Sequence, residues 1–225
     1  YLSAISNDPL GEFDKQITND INYLGAVKFA KKAKISGTKK FIFISSQSMY
    51  GISKIDDELD EDKSEKNPIT EYAKTKWKAE KEILNLNSVD FTTVSLRPST
   101  VFGSSPRLRC DIVFNNLLAC AFTTKEIIIK SDGSPWRPVI HIKDVCNAIH
   151  AIIIAPKSLV AGKSFNIGIP NGNFTVKEIA ETVKKLIPNS KLRFTGEHTD
   201  NRTYKVSFKK ILTELKDYYK PEFNL

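Results

Sequence analysis

The chain has 225 residues, of which 40% are hydrophobic and 27% charged, the balance of a globular protein able to bury a sizeable core. Its formal charge of +8 is uneven: residues 1–90 carry 14 Lys/Arg against 15 Asp/Glu, whereas residues 91–225 carry 20 against 11. No apolar run approaches the roughly 18 residues of a membrane span, no basic stripe is interleaved with aromatics as on a nucleic-acid surface, and Cys110, Cys120 and Cys146 lack the spacing of a disulfide framework or a zinc site.

The start, Tyr1-Leu2-Ser3-Ala4, has neither an initiator Met nor a charged leader and reads as the interior of a longer protein. Leu2–Ile5 is predicted as the tail of a strand. Ile17–Ile35 is predicted as an amphipathic helix with Ile21, Leu24, Val27, Phe29, Ala30 and Ala33 on its buried side, closed by Gly37. Phe41–Ile44 is a continuous apolar run, as in a parallel strand buried on both faces. The acidic run Asp56–Asp62 is predicted as a solvated loop.

Pro68–Leu86 is rich in Lys, Glu and Ala with no internal Gly or Pro after its start, and is predicted as a helix. Phe91–Leu96 is the next strand, with Phe41, Phe43, Val94 and Leu96 as core. Helices follow at about Ile112–Phe122, Lys143–Ala155 and Thr175–Leu186, the last opened by a Thr175/Glu178 capping pair. Short strands are predicted at Glu126–Lys130, Arg137–His141 and Ser164–Ile167. The alternation of strand and helix predicts an α/β, doubly wound parallel sheet, followed by a less regular part. The three cysteines lie in apolar stretches, so buried thiols and a reducing compartment, the cytoplasm, are expected.

One spacing carries chemistry. Tyr72 and Lys76 are four residues apart on the predicted helix, so phenol and ammonium share a face. A nearby cation favours phenolate and lowers the phenol pKa, which suits general acid–base work on a substrate hydroxyl. Ser46 follows a buried strand, where open α/β sheets place ligands. By itself a Tyr-x-x-x-Lys spacing also fits a solvated helix face. The ten glycines form neither a Gly-x-Gly-x-x-Gly nor a Gly-x-x-Gly-x-x-Gly turn.

A series of segments in order then resembles one family. Leu2-Ser3-Ala4, Asn22-Tyr23-Leu24-Gly25, Ser45-Ser46-Gln47-Ser48-Met49-Tyr50-Gly51, Tyr72-Ala73-Lys74-Thr75-Lys76, Leu96-Arg97-Pro98-Ser99-Thr100-Val101-Phe102-Gly103, Arg137 to Val145 and Phe165-Asn166-Ile167-Gly168 are similar to the motifs of extended short-chain dehydrogenase/reductases of the NAD-dependent sugar epimerase/dehydratase group. The resemblance implies a Rossmann-like sheet, truncated at its N-terminus, over residues 1–105, and a smaller α/β substrate-binding part over 106–225, interleaved with late Rossmann elements. It implies Ser46, Tyr72 and Lys76 as catalytic residues, with Tyr72 taking the proton of a sugar hydroxyl, Lys76 holding the nicotinamide ribose and keeping the Tyr72 pKa low, and Ser46 holding the reacting oxygen. NAD, or NADP, would meet Leu2, Ser3, Ala4, Asn22, Ser45, Tyr72, Lys76 and Ser99. A nucleotide-sugar would meet Ser46, Ser48, Thr100, Asn115, Asn116, Arg137 and Arg202, the arginines pairing with its diphosphate.

Gln47 and Ser48 stand where sugar 4,6-dehydratases of the family carry an acidic pair, which favours epimerisation or simple oxidoreduction over dehydration. Dimers are common in the family, and a homodimer is an open expectation. No metal, nucleic-acid or membrane partner is expected. His141 is expected to be structural, Asp144 to cap the following helix, and Trp136 to pack either in the core or near the substrate. The alternatives are a non-catalytic nucleotide-sensing protein of the same fold and a basic nucleic-acid-binding module.

Overall fold

The computed structural model describes residues 1–6, 8–52, 58–196 and 203–225. Helix α1 (Asp8–Phe13) leads into α2 (Lys15–Asn19), which runs through a π-helical stretch, Asp20–Gly25, into α3 (Ala26–Ile35). Strand β1 (Lys40–Ile44) ends in a 3₁₀ turn, Gln47–Tyr50, before the two-residue β2 (Glu58–Leu59) and the long α4 (Glu71–Asn85). Then come β3 (Thr92–Pro98), β4 (Thr100–Phe102), α5 (Val113–Thr123), β5 (Glu126–Ile129), β6 (Trp136–His141), α6 (Ile142–Ile154), α7 (Lys157–Val160) and β7 (Lys163–Ile167). The chain closes with β8 (Asn173–Thr175), α8 (Val176–Leu186), β9 (Lys191–Phe194), β10 (Lys205–Val206) and α9 (Lys209–Glu214).

The central sheet has the order β1-β3-β7, all parallel, with Ile44 opposite Leu96 and Arg97 opposite Asn166. Alternation along β1 explains its unbroken apolar run. Phe41 and Phe43 pack on one face against Ala26, Val27 and Ala30 of α3 and Ala79 and Ile83 of α4. Ile42 and Ile44 belong to the opposite face, where Val94 and Leu96 meet Val145, Ala148 and Ile152 of α6. Helices therefore cover both faces. Lys40 donates to the carbonyls of Ile152, Ile153 and Ala155 at 2.7, 2.8 and 3.0 Å, a cation on the C-terminal end of α6.

A second cluster gathers Phe102, Phe114, Leu117, Ile127, Val139 and Ile179. It lies among the sheet β4-β6-β8, the parallel pair β5-β9, α5 and α8. The Thr175/Glu178 capping box opens α8 as expected. Gly37, at φ 80°, follows α3 and donates to Lys34, which ends that helix where expected.

Several expectations change. Leu2–Ile5 is not a strand. Only Tyr1 pairs with β1, its amino group donating to the Ile42 carbonyl at 2.7 Å and its carbonyl accepting from Ile44 at 3.3 Å. The helix starting near residue 15 buries only part of the face predicted for it: Val27 and Ala30 are buried and Ala33 packs against them, while Ile21, Leu24 and Phe29 are exposed and Asn22 and Ala26 are buried instead. The π-helical stretch rotates the face, because five residues replace four per hydrogen-bonded turn. Helix α4 begins three residues late because the Thr70 hydroxyl caps it, accepting from the Ala73 amide.

In the acidic run, Asp56 and Asp57 lie outside the described residues, but Leu59 and Glu61 are buried and β2 pairs with β10. The cysteines are also corrected: Cys110 and Cys146 are exposed and Cys120 is half-buried, all three free. Asp144 does not cap α6. His141 does, through Nδ1 accepting from the Lys143 amide, while the buried Asp144 carboxylate accepts from the amides of Glu222 and Phe223. Trp136 is half-buried under the Lys205 ammonium, 4.2 Å from its ring.

Candidate active site

The site forms at the C-terminal ends of β1 and β3. Ser46 leaves β1 in extended conformation and caps the 3₁₀ turn, its hydroxyl accepting from the Ser48 amide at 3.1 Å and donating to the Ser48 hydroxyl at 3.0 Å. Helix α4 brings Tyr72 and Lys76 to the same place, and the Ser46 hydroxyl acts on the Tyr72 phenol, lowering its pKa. The Lys76 ammonium is buried; it donates to the Ile44 carbonyl at 2.5 Å and lies 4.6 Å from the Phe43 ring centre. Ser46, Tyr72 and Lys76 are thus brought together by one strand end and one helix face.

Helix α1 seats against the start of α4. The Thr70 hydroxyl donates to Asp8 at 2.7 Å and the Glu71 amide to Glu12 at 2.5 Å. Gly11 makes this approach possible, since a Cβ there would stand 3.2 Å from the Tyr72 Cβ.

The electrostatics differ from the expected ones. Burial raises the Tyr72 phenol above its ordinary value and outweighs the Ser46 hydrogen bond, which lowers it; Asp8 raises it further and Arg109 lowers it. The expected low phenol pKa is therefore not found in the protein by itself. Burial also depresses the Lys76 ammonium to about 8, with Glu80 acting in the opposite direction.

The other predicted residues are placed as follows. Leu2 and Ser3 are exposed and Ala4 is half-buried, on the segment that leaves the sheet after Tyr1. Asn22 holds that segment: its Oδ1 accepts from the Ile5 amide at 2.7 Å and its Nδ2 donates to the Ile5 carbonyl at 3.0 Å. Ser45 is buried with its hydroxyl unpartnered among the described residues. Ser99 donates to the Ile167 carbonyl at 2.9 Å and bolts β3 to β7.

Asn115 and Asn116 use their amides on the loop before α5, donating to the carbonyls of Arg109 and Cys110 at 2.9 and 3.0 Å. They shape the loop that carries Arg109. Thr100 lies beside Val139 between β4 and β6. Arg137 is half-buried on β6 and donates to the Trp136 carbonyl at 2.8 Å. Arg202 lies outside the described residues; its neighbour Thr203 accepts from the Trp136 amide at 3.0 Å, beside Arg137.

Sequence reasoning missed Asp8, Arg109 and Tyr204, whose charges reach the Tyr72 phenol. No local signal marks them, because they come from three distant segments. Gln47, read in the sequence only for its departure from the dehydratases, also holds β3: its Nε2 donates to the Arg97 carbonyl at 2.9 Å, while its Oε1 is buried and unpartnered among the described residues. Glu80 was legible as the next member of the 72, 76, 80 series, and Arg97 as a charge in an otherwise uncharged strand. Among the described residues no group of three His, Cys, Asp or Glu is placed to hold a metal, and no helix is long and apolar enough to cross a membrane.

Residues 1–168 match the family model of the NAD dependent epimerase/dehydratase family. The chain belongs to the NAD-dependent epimerase/dehydratase family. It is 27% identical over 168 residues to a dTDP-D-glucose 4,6-dehydratase of Mus musculus, covering 74% of this chain and 45% of that protein. It is 25% identical over 182 residues to an N-acetyl-alpha-D-glucosaminyl-diphospho-ditrans,octacis-undecaprenol 4-epimerase of Escherichia coli O157:H7, covering 78% and 52%. The chain thus spans about half the length of the curated relatives it matches. In structure it is similar to the UDP-glucose 4-epimerase of Thermotoga maritima crystallised with UDP-glucose, with TM-score 0.84, 20% identity and coverage of 99% of this chain and 71% of that one. It is also similar to a Bacillus cereus UDP-glucuronic acid 4-epimerase in complex with UDP-glucuronic acid and NAD, with TM-score 0.81, 23% identity and coverage of 99% and 69%. These likenesses establish the Rossmann-type α/β fold of this family member.

Proposed function

We propose that this family member is an NAD-dependent epimerase, or a related oxidoreductase, acting on a nucleotide-activated sugar by transient oxidation of a sugar hydroxyl. The observation that carries the reading is the meeting of Ser46, Tyr72 and Lys76 at the end of β1. The buried, unpartnered hydroxyl of Ser45 and amide oxygen of Gln47 fit a ligand rich in hydroxyl and amide groups, such as the nicotinamide riboside end of NAD. The ten glycines provide no pyrophosphate cradle, so no residue here is assigned that contact.

NAD, when bound, supplies the hydride acceptor. Tyr72 takes the proton from the sugar oxygen, Ser46 holds that oxygen in line, and Lys76 supplies a fixed positive charge beside them. Arg109, whose charge already reaches the phenol, favours the phenolate. Arg137 and Arg202 are proposed to meet the diphosphate of the substrate. Gln47 has its amide committed to β3 and is no acid, so epimerisation is favoured over 4,6-dehydration.

We also propose a boundary near residue 105 between the cofactor-binding and substrate-binding parts, and a cytoplasmic location, which the three free cysteines suit. A homodimer is proposed through the exposed apolar stripe Phe13, Ile17, Ile21 and Leu24. Sedimentation of Leu24→Lys tests it: a shift toward monomer is expected, and an unaltered mass would remove the stripe from the interface.

The decisive experiment is Tyr72→Phe in the full-length protein, assayed against UDP-, dTDP- and GDP-sugars. Turnover is expected to be lost while NAD binding persists. A Tyr72→Phe variant with full turnover, or a wild-type protein that binds NAD and turns over none of these sugars, would sink the reading, the latter in favour of a nucleotide-sensing role.

A further inference from the structure

Tyr72, Lys76 and Glu80 are spaced four residues apart on α4, so phenol, ammonium and carboxylate form one stripe. Lys76 and Glu80 are both buried, at 4% and 0% exposure. In a dry interior an ammonium and a carboxylate one turn apart attract each other strongly. Yet the Lys76 ammonium goes to the Ile44 carbonyl and not to Glu80.

Arg97 explains this. It is 2% exposed and projects from the face of β3 that meets α4. Its Nε donates to the two Glu80 oxygens at 3.0 and 3.2 Å, and its Nη2 donates to Oε1 at 2.5 Å. The fork saturates the carboxylate, and a guanidinium does not give up its proton. The remaining Nη1 donates to the Tyr50 hydroxyl at 2.8 Å, which in turn donates to Asn166 Oδ1 at 2.9 Å. Tyr50 ends the turn that Ser46 opens. One side chain therefore ties the helix of Tyr72 and Lys76 to the turn of Ser46.

We propose that Arg97 is a positioning residue for the reaction: by occupying Glu80 it keeps the Lys76 ammonium at the strand end that carries Ser46, where its charge serves Tyr72 instead of being neutralised one turn away. The inference rests on the reading of Ser46, Tyr72 and Lys76 as the reacting groups. The other groups that face these two side chains are the Tyr1 amino group near Lys76, and Asp8 of α1, Arg109 of the loop before α5, Tyr204 of the segment before β10 and Ser46 around Tyr72. Among the described residues the Glu80 carboxylate accepts from Arg97.

The test compares Arg97→Gln, Arg97→Lys and the double variant Arg97→Gln/Glu80→Gln in the full-length protein. Two readouts are taken: kcat and KM, and the titration of Tyr72 by ultraviolet difference absorbance against Tyr72→Phe in the same background. Arg97→Gln is expected to lose roughly 100-fold in kcat, the scale of an ångström-sized misplacement, with KM altered less than about threefold. Its phenol should titrate at higher pH than in the wild type. The double variant removes the competing carboxylate, so both kcat and the phenol titration should move back toward wild type although the protein gains no stability, and Arg97→Lys should recover part of each.

A double variant as slow as Arg97→Gln, or a phenol titration identical in all backgrounds, would overturn the proposal and leave Arg97 a purely structural residue. Should Arg97→Gln not fold, the double variant against wild type decides: a phenol displaced as far as the Tyr72 environment allows contradicts the proposal. A wild-type protein without sugar turnover would defeat the functional reading, while the phenol titrations would still judge Arg97.

Discussion

The Lys76 ammonium donates to the Ile44 carbonyl at 2.5 Å, two residues before Ser46, whose hydroxyl lowers the pKa of the Tyr72 phenol. The contact places a buried cation at the end of a parallel strand and ties α4 to it. It also costs stability, because burial depresses the ammonium from about 10.4 for a free lysine to about 8.

Lys76→Met should therefore stabilise the fold, and the gain should depend on pH. Below about pH 8 both folded and unfolded chains hold the proton, and the full cost of burying the charge is present. Between about 8 and 10.4 the unfolded chain holds more of the proton, so wild-type stability rises with pH, by about 3 kcal/mol at most across that window. Urea denaturation of the two proteins should show a difference that is largest near neutrality and shrinks toward pH 10 or so. A constant difference over that range would contradict a buried ammonium.

Tyr50→Phe should cost about 2 kcal/mol, because it leaves Arg97 Nη1 and Asn166 Oδ1 with fewer partners in a buried network. The hydroxyl is itself pushed up to about 12, mainly by burial, so this loss should be the same across neutral pH. Denaturant midpoints measure it, and a change below a few tenths of a kcal/mol would show that the network repacks around the missing oxygen.

Gly11→Val should slow turnover more than it destabilises the fold. A side chain at this position meets the Tyr72 Cβ and backbone, so α1 or the start of α4 must shift. A displacement near an ångström corresponds to roughly 100-fold in rate. Steady-state kinetics alongside a melting curve separate the two effects, and wild-type kcat would show that α1 yields without moving Tyr72.

Arg109→Gln should move the rise of kcat/KM with pH toward higher pH. The phenolate is the base form, burial already raises its pKa, and Arg109 is one of the groups lowering it. Removing that cation raises the phenol further. The guanidinium is half-exposed and paired with Asp111, so the displacement should be a few tenths of a pH unit, smaller at high salt. A pH–rate profile that stays in place would remove Arg109 from the electrostatics of the site.

Much of this was written in the linear order of residues. The run Phe41–Ile44 specified a parallel strand covered on both faces, though only its Phe41/Phe43 face is fully buried, the Thr175/Glu178 pair specified a helix start, and the spacing of Tyr72 and Lys76 specified a shared helix face, because each rests on backbone periodicity or on groups a few residues apart. Tertiary structure decided what those groups face. The π-helical stretch turned Ile21 and Leu24 outward, which no apolar periodicity at 3.6 residues foretells. The direction of the Tyr72 pKa depended on burial, with Asp8 adding to it, and the Glu80 carboxylate one turn from Lys76 was paired with an arginine on β3. Desolvation and Coulomb energy depend on distance through space, and distance through space is fixed only when β1, β3 and α4 have packed.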